Sequence, residues 1–364
     1  MDERVREHAA VLVDWSARVE AGDDVVVAIG EGAHDLGVAV VEELGAIGAN
    51  PVTTYSSAEV TRAYLRAHGG DVDAAPAHQL ALYENADAVL MLRGSHNTTG
   101  AADVPPDIRH DWPTQTVRDA LYSSDWVATL HPTRAHAQQA GMAFEPYREF
   151  VYDAILRDWE SLASEMAQLK DLLDDGSEVR LVKGDSDLVL SIDERTAVNS
   201  AASVAYDSHN LPSGEVFTAP TATEGEVHFD VPMTHDGTRI RDVHLTFEDG
   251  VVVEHSAAIG EDALDALLDT DEGARRLGEL GIGMNRGIDR FTDNILFDEK
   301  MGGTVHLALG RAYDACLPEG EQGNESAVHA DLITDMRADG THLAIDGEVV
   351  QRDGHFRWED GFDG

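Results

Sequence analysis

The sequence predicts an α/β protein of two domains, on three observations. Its first 140 residues alternate short apolar runs with stretches of helical spacing, the pattern of a doubly wound parallel sheet. From about residue 176 short strands dominate instead. At 364 residues the chain is also long for one hydrophobic core. The expected division is an N-terminal doubly wound α/β domain over 1–175 and a C-terminal mixed α+β domain over 176–364.

The elements follow in order. "DVVVAIG" from Asp24 to Gly30 is a short buried strand. "HDLGVAVVEELGAIGA" is a helix with an apolar stripe at Val38, Val41, Leu44 and Ile47, and "NPVTTY" is a second strand. "ADAVLMLRG" and "DWVATLHP" are two more strands, each preceded by a helical stretch. Gly30 and Gly32 lie at the first strand-to-helix turn, but the next glycine is Gly37, so the spacing of a dinucleotide fingerprint fails. A tight turn that requires glycine explains them better. Phe144 to Gly176 is a long amphipathic helix, or two, connecting the domains. Beyond it come "EVRLVKG", "DLVLSID", "EVHFDVP" and a hairpin in "VHLTFEDGVVVEHSA" turned at Asp249–Gly250. A helix is expected over "EDALDALLDTDEGARRLGEL", and the tail "WEDGFDG" is expected to fray.

Composition narrows the function. Asp and Glu number 69 against 26 Lys and Arg, a net charge of −43, and lysine occurs only at Lys170, Lys183 and Lys300. A surface of that sign repels nucleic acid and anionic membranes. The charge is spread along the chain, as in proteins adapted to a salty cytoplasm, where molar salt screens charge over about 3 Å. No apolar run approaches the roughly 20 residues that span a bilayer, and the N-terminus lacks the pattern of a secretory signal. A cytoplasmic protein without nucleic-acid or membrane partners is therefore expected. With Cys316 the single cysteine, an internal disulfide and a multi-cysteine zinc site are both excluded.

The zincin helix, the nucleophile elbow and the P-loop are absent. Four spaced segments of the second half offer ligand-type side chains instead: "LPSGEVFTAP" with Glu215, "ELGIGMN" with Glu279, "GGTVHLALGRAYD" with His306 and Tyr313, and "SAVHADL" with His329 and Asp331. A lone strand histidine is more often a hydrogen-bonded core residue than a ligand. Glu215 alone passes for an exposed turn, Glu279 for a solvated helix end and Tyr313 for a packing residue. His209, His228, His235, His244 and His255 show no compact spacing and are read as surface. Only "HAD" carries a geometric argument, because positions i and i+2 of a strand share a face.

Together "LPSGEVFTAP", "ELGIGMN", "NILFDEKMGGTVHLALGRAYD" and "SAVHADLITDM" resemble the signature blocks of the M29 metalloaminopeptidases, the aminopeptidase T and S type, in the family's order. The resemblance implies a site for two divalent metal ions (zinc, cobalt or manganese) on Glu215, Glu279, His306, His329 and Asp331. It also implies catalytic roles for Tyr313 and Glu279, peptide substrates and a homodimer. The activity implied is hydrolysis of the N-terminal peptide bond of short peptides. Carboxylates and imidazoles suit such ions, and one carboxylate can bridge a pair. Asp298 and Glu299 lie close by in sequence, with a structural role as well supported as a catalytic one. The chain is somewhat shorter than the usual members, with an abbreviated region before the long helix. Two other readings stay open: a mononuclear iron dioxygenase of the same fold using His306, His329 and Asp331, and a metal-binding module without hydrolysis.

Overall fold

A computed structural model describes residues 1–68, 75–105, 108, 114–235 and 237–362. The chain forms two units, Met1–Trp159 with Ala202–Ser213, and Glu160–Ala201 with Gly214–Gly364. Strands β1 (Asp24–Gly30), β2 (Asn50–Ser56), β3 (Ala88–Arg93) and β4 (Asp125–Leu130) alternate with helices. Next in the chain come β5 (Glu178–Lys183), β6 (Ser186–Ser191) and β7 (Val198–Ser200) of the second unit, then β8 (Asn210–Leu211) of the first. The rest belong to the second: β9 (Glu215–Thr218), β10 (Ala222–Phe229), β11 (Met233–His235), β12 (Thr238–Glu248), β13 (Val251–Ile259), β14 (Leu277–Gly283), β15 (Thr304–Gly310), β16 (His329–Asp335), β17 (His342–Ile345), β18 (Glu348–Arg352) and β19 (His355–Phe356).

The first unit is built on a parallel sheet of order β2-β1-β3-β4-β8. Val25, Val26, Val27 and Ile29 of β1 are all buried, as a strand covered on both faces requires. The helix His34–Ile47 forms as expected but turns a different stripe inward. Leu36, Ala39, Val40 and Leu44 are buried while Val38 is 44% exposed. At 100° per residue Val38 lies about 200° from Leu36, on the opposite side. Gly30 and Gly32 serve close approach rather than a special backbone angle: Gly32 N donates to Gly94 O at 3.0 Å. A Cβ on Gly30 would lie 2.8 Å from that same oxygen.

The segment 144–176 is two helices, Phe144–Ile155 and Trp159–Asp174. In the second unit one sheet has the order β11-β12-β10-β6-β5-β17-β18-β19, with β13 paired to β12. The β12–β13 hairpin turns at Asp249 and Gly250, both at positive φ. The expected helix after Gly260 stops at Leu268, a short turn follows at Gly273–Arg275, and β14 begins at Leu277. Three glycines in "LGELGIG" had hidden this strand. The start of the tail is tied down, contrary to expectation: Trp358 stacks on Phe356 at 5.0 Å, and Glu359 pairs with Arg286 at 2.5 Å, while residues 363–364 lie outside the described residues. A five-stranded antiparallel sheet, β16-β15-β14-β9-β7, carries the candidate site.

Candidate metal centre

Register places the five candidate ligands on one face of this sheet. Asp331 pairs with Ala308 and Ala308 with Glu279, so the three form one row across β16, β15 and β14. His329, two residues before Asp331, pairs with Gly310 in the next row. On the other side of Asp331's row, His306 pairs with Gly281 and Gly281 with Phe217. Glu215 is opposite Gly283 beyond that. Side chains two apart on a strand, or directly paired, point the same way. The opposite face carries Leu280, Ile282, Leu307, Leu309 and Leu332, all buried.

Two backbone features make the rows possible. Leu277 pairs with Leu309 but Glu279 with Ala308, so the strand absorbs one extra residue as a bulge at Gly278. Leu277 and Glu279, although two apart, therefore face opposite sides. Gly281 supplies room: a Cβ there would lie 2.0 Å from His306 Cε1 and Nε2. Glu279 is thus a buried strand residue, 5% exposed, and not the solvated helix end that its local sequence suggested.

The polar atoms converge. His306 Nε2 is 3.1 Å from Glu279 Oε1 and 3.6 Å from Glu215 Oε2. His329 Nε2 is 3.5 Å from Glu279 Oε2 and 3.6 Å from Asp331 Oδ1. Donor atoms of Glu279, His329 and Asp331 lie within 4.8 Å of one another. The two oxygens of Glu279 therefore address different histidines. His329 Nδ1 lies 2.9 Å from the Arg311 carbonyl, which can only accept. In the neutral imidazole this assigns the proton to Nδ1 and leaves the Nε2 lone pair facing the carboxylates, the usual arrangement of a ligating histidine. Tyr313, 45% exposed, places its hydroxyl 3.4 Å from His329 Nε2, with ring centroids 4.9 Å apart.

Electrostatics carry the same message. Burial pushes Glu215 up to about 7, against the pull of Lys300. Burial also raises Asp331 to about 6, reinforced by the nearby Glu299 charge. Burial disfavours a charged His306, yet the Glu279 hydrogen bond and the Glu215 field push it up to about 10. Burial works to raise Glu279 as well, but the His306 hydrogen bond and the His306, His329 and Lys300 charges together outweigh it and the net shift is downward. Although the Tyr313 residue is 45% exposed, desolvation of its hydroxyl end and the Glu279 and Asp331 charges hold it above the ordinary phenol range, so the hydroxyl keeps its proton. Carboxylates and imidazoles gathered out of water in this way have the charge and donor chemistry of a divalent-cation site. The lone pair at His329 Nε2 and the buried, unpartnered Glu215 Oε2 fit such an ion.

Two neighbours resolve differently. Asp298 accepts from Thr292 N and Oγ1 at 2.8 and 2.9 Å and from Asn294 N at 3.2 Å, so it braces a loop. Glu299 instead pairs with Lys300, which is fully buried and 3.3 Å from Glu215 Oε1. Reading the sequence missed Lys300, since a lysine is by default a surface residue. The available signal was its rarity, one of three lysines among 69 acids, beside Glu299. The histidines read as surface include one close pair, His228 and His244, stacked at 4.2 Å.

A family profile described as "Thermophilic metalloprotease (M29)" matches residues 1–356. The chain belongs to this family. Aminopeptidase T of Thermus aquaticus is 40% identical over 166 residues, 41% of this chain and 40% of that protein. Aminopeptidase 2 of Geobacillus stearothermophilus is 35% identical over 182 residues, 45% of this chain and 43% of its own. These two alignments span less than half the length of the relatives they match. Aminopeptidase PepS of Streptococcus thermophilus aligns over 93% of this chain and 94% of its own length at 26% identity. Among solved structures, wild-type AmpT from Thermus thermophilus superposes with a TM-score of 0.84 at 25% identity, covering 98% of this chain and 99% of that one. The M29 assignment agrees with the mixed α/β architecture. Among the described residues no helix is long and apolar enough to cross a membrane.

Proposed function

We propose that this M29 protein is a metal-dependent aminopeptidase that hydrolyses the N-terminal peptide bond of short peptides. The observation that carries the reading is the split of Glu279, one oxygen toward His306 and the other toward His329. Glu279 would hold divalent ions together with Glu215 and His306 on one side and His329 and Asp331 on the other. A divalent pair bound there would polarise the scissile carbonyl and lower the pKa of a shared water.

The chain's own residues supply the rest. The Arg311 carbonyl fixes the His329 tautomer. Glu279, hydrogen-bonded to His306, is held in its ionised form. Tyr313 retains its proton and donates a hydrogen bond toward the oxygen on which negative charge develops. Carboxylates around the site favour a substrate's α-ammonium group. The names of the relatives support peptide substrates and leave the mononuclear dioxygenase reading without support. Zinc, cobalt and manganese all suit this donor set. The homodimer and the cytoplasmic location belong to the same proposal.

The test is release of free leucine from leucine-containing dipeptides in molar salt. The protein is compared as purified, after chelation, and after re-addition of zinc, cobalt or manganese. Loss on chelation and recovery with metal is the expected result. A folded, metal-loaded protein that releases no leucine overturns the proposal. Light scattering on the same samples reads the homodimer.

A further inference from the structure

Lys300 has no solvent exposure, and its amine lies between two carboxylates. Its Nζ is 3.3 Å from Glu215 Oε1 and hydrogen-bonds Glu299. The backbone beneath it is anchored: Lys300 N donates to Phe297 O at 3.0 Å, and Lys300 O accepts from Asn285 N at 3.0 Å. Gly283 lets that turn approach β14, since a Cβ there would lie 2.2 Å from Met301 O. The ammonium therefore comes from a fixed point.

The consequence falls on Glu215. A carboxylate on a three-bond stem can rotate to offer either oxygen, or both. Here Oε1 is engaged by Lys300, while Oε2 is buried without a hydrogen-bond partner and stands 3.6 Å from His306 Nε2. We infer that Lys300 is a positioning residue for Glu215: it pins Oε1 so that Oε2 alone is presented to the metal centre. The inference rests on the aminopeptidase reading only for the assignment of Glu215 as a ligand. Groups that orient a ligand in this way typically contribute about 10- to 100-fold in metal affinity.

A purely structural lysine would balance buried charge and nothing more. Lys300→Met, of similar length and without charge, separates the two roles. Metal affinity of the purified protein is read by chelator competition with zinc, alongside melting temperature without metal and leucine release across zinc concentrations. The expected result is a ~10- to 100-fold weakening of one bound equivalent, the other unchanged, with turnover recovered by added zinc. Unchanged affinity for every equivalent, with only a lower melting temperature, overturns the inference. Should Lys300→Met not fold, Lys300→Leu likewise removes the donor, and a weakening below about 3-fold in that variant overturns it equally. Wild-type protein that binds zinc but releases no leucine defeats the aminopeptidase reading, while the affinity comparison still decides the role of Lys300.

Discussion

Each unit buries a histidine beside a five-stranded sheet, and the two are treated in opposite ways. His8 is fully buried with Nε2 2.7 Å from the Thr129 hydroxyl on β4, and burial lowers its pKa to about 3. His306 is equally buried, but its neighbours are the carboxylates Glu279 and Glu215, and its pKa rises to about 10. Burial is common to both, so the partners decide. The glycines differ in parallel. In the first sheet Gly30, Gly32 and Gly94 lie at strand ends and let loops pack shut. In the second, Gly278, Gly281, Gly283 and Gly310 interrupt the strands themselves, three of them on the ligand face. A sheet becomes a site here where glycine leaves space between acidic and imidazole side chains.

This contrast can be broken experimentally. His329→Ala or Asp331→Ala should abolish turnover with the fold retained in high salt, read as leucine release beside circular dichroism. Full activity in either variant would remove that residue from the site. Tyr313→Phe keeps the ring and loses the donor, and kcat should fall by ~10²- to 10³-fold with KM little changed. Gly281→Ala drives a methyl group into His306 and should weaken metal binding by about 10- to 100-fold. Its counterpart in the other sheet, Gly32→Ala, meets Thr133 Cγ2 at 2.7 Å. That variant should cost about 1–3 kcal/mol of stability while turnover per folded molecule stays constant. If the two glycine variants behave alike, the division of roles between the sheets is wrong.

The smallest effect concerns acid. His8 has a folded pKa of about 3 against an ordinary 6.5, so the unfolded chain binds the extra proton between those values. Its contribution is complete above pH 6.5 and is lost as pH falls, by about 1.4 kcal/mol per pH unit. At pH 5 the loss is about 2 kcal/mol. His8→Gln should remove that part of the slope in denaturant titrations at pH 7 and 5. An unchanged slope would mean that His8 is not the group responsible.

Much of this was legible in the sequence, for stated physical reasons. Parallel strands covered on both faces read as continuous apolar runs, so β1, β3 and β4 could be placed. Alternation put His329 and Asp331 on one face. Glu279 could not be placed, because its strand is rich in glycine and its direction depends on a bulge that no local pattern specifies. The buried stripe of the His34–Ile47 helix was misread because valines outnumber the smaller Ala39 that faces inward. Lys300 needed three dimensions, since only the fold shows two carboxylates meeting one ammonium.

The bond from His329 to the Arg311 carbonyl is invisible to an alanine scan. Arg311→Ala leaves that oxygen in place, so a survey of side chains would score the position as dispensable. The oxygen can still be reached through a neighbour: a Cβ on Gly278 would lie 2.3 Å from it. A methyl group added at Gly278 would therefore disturb the tautomer of a histidine on β16.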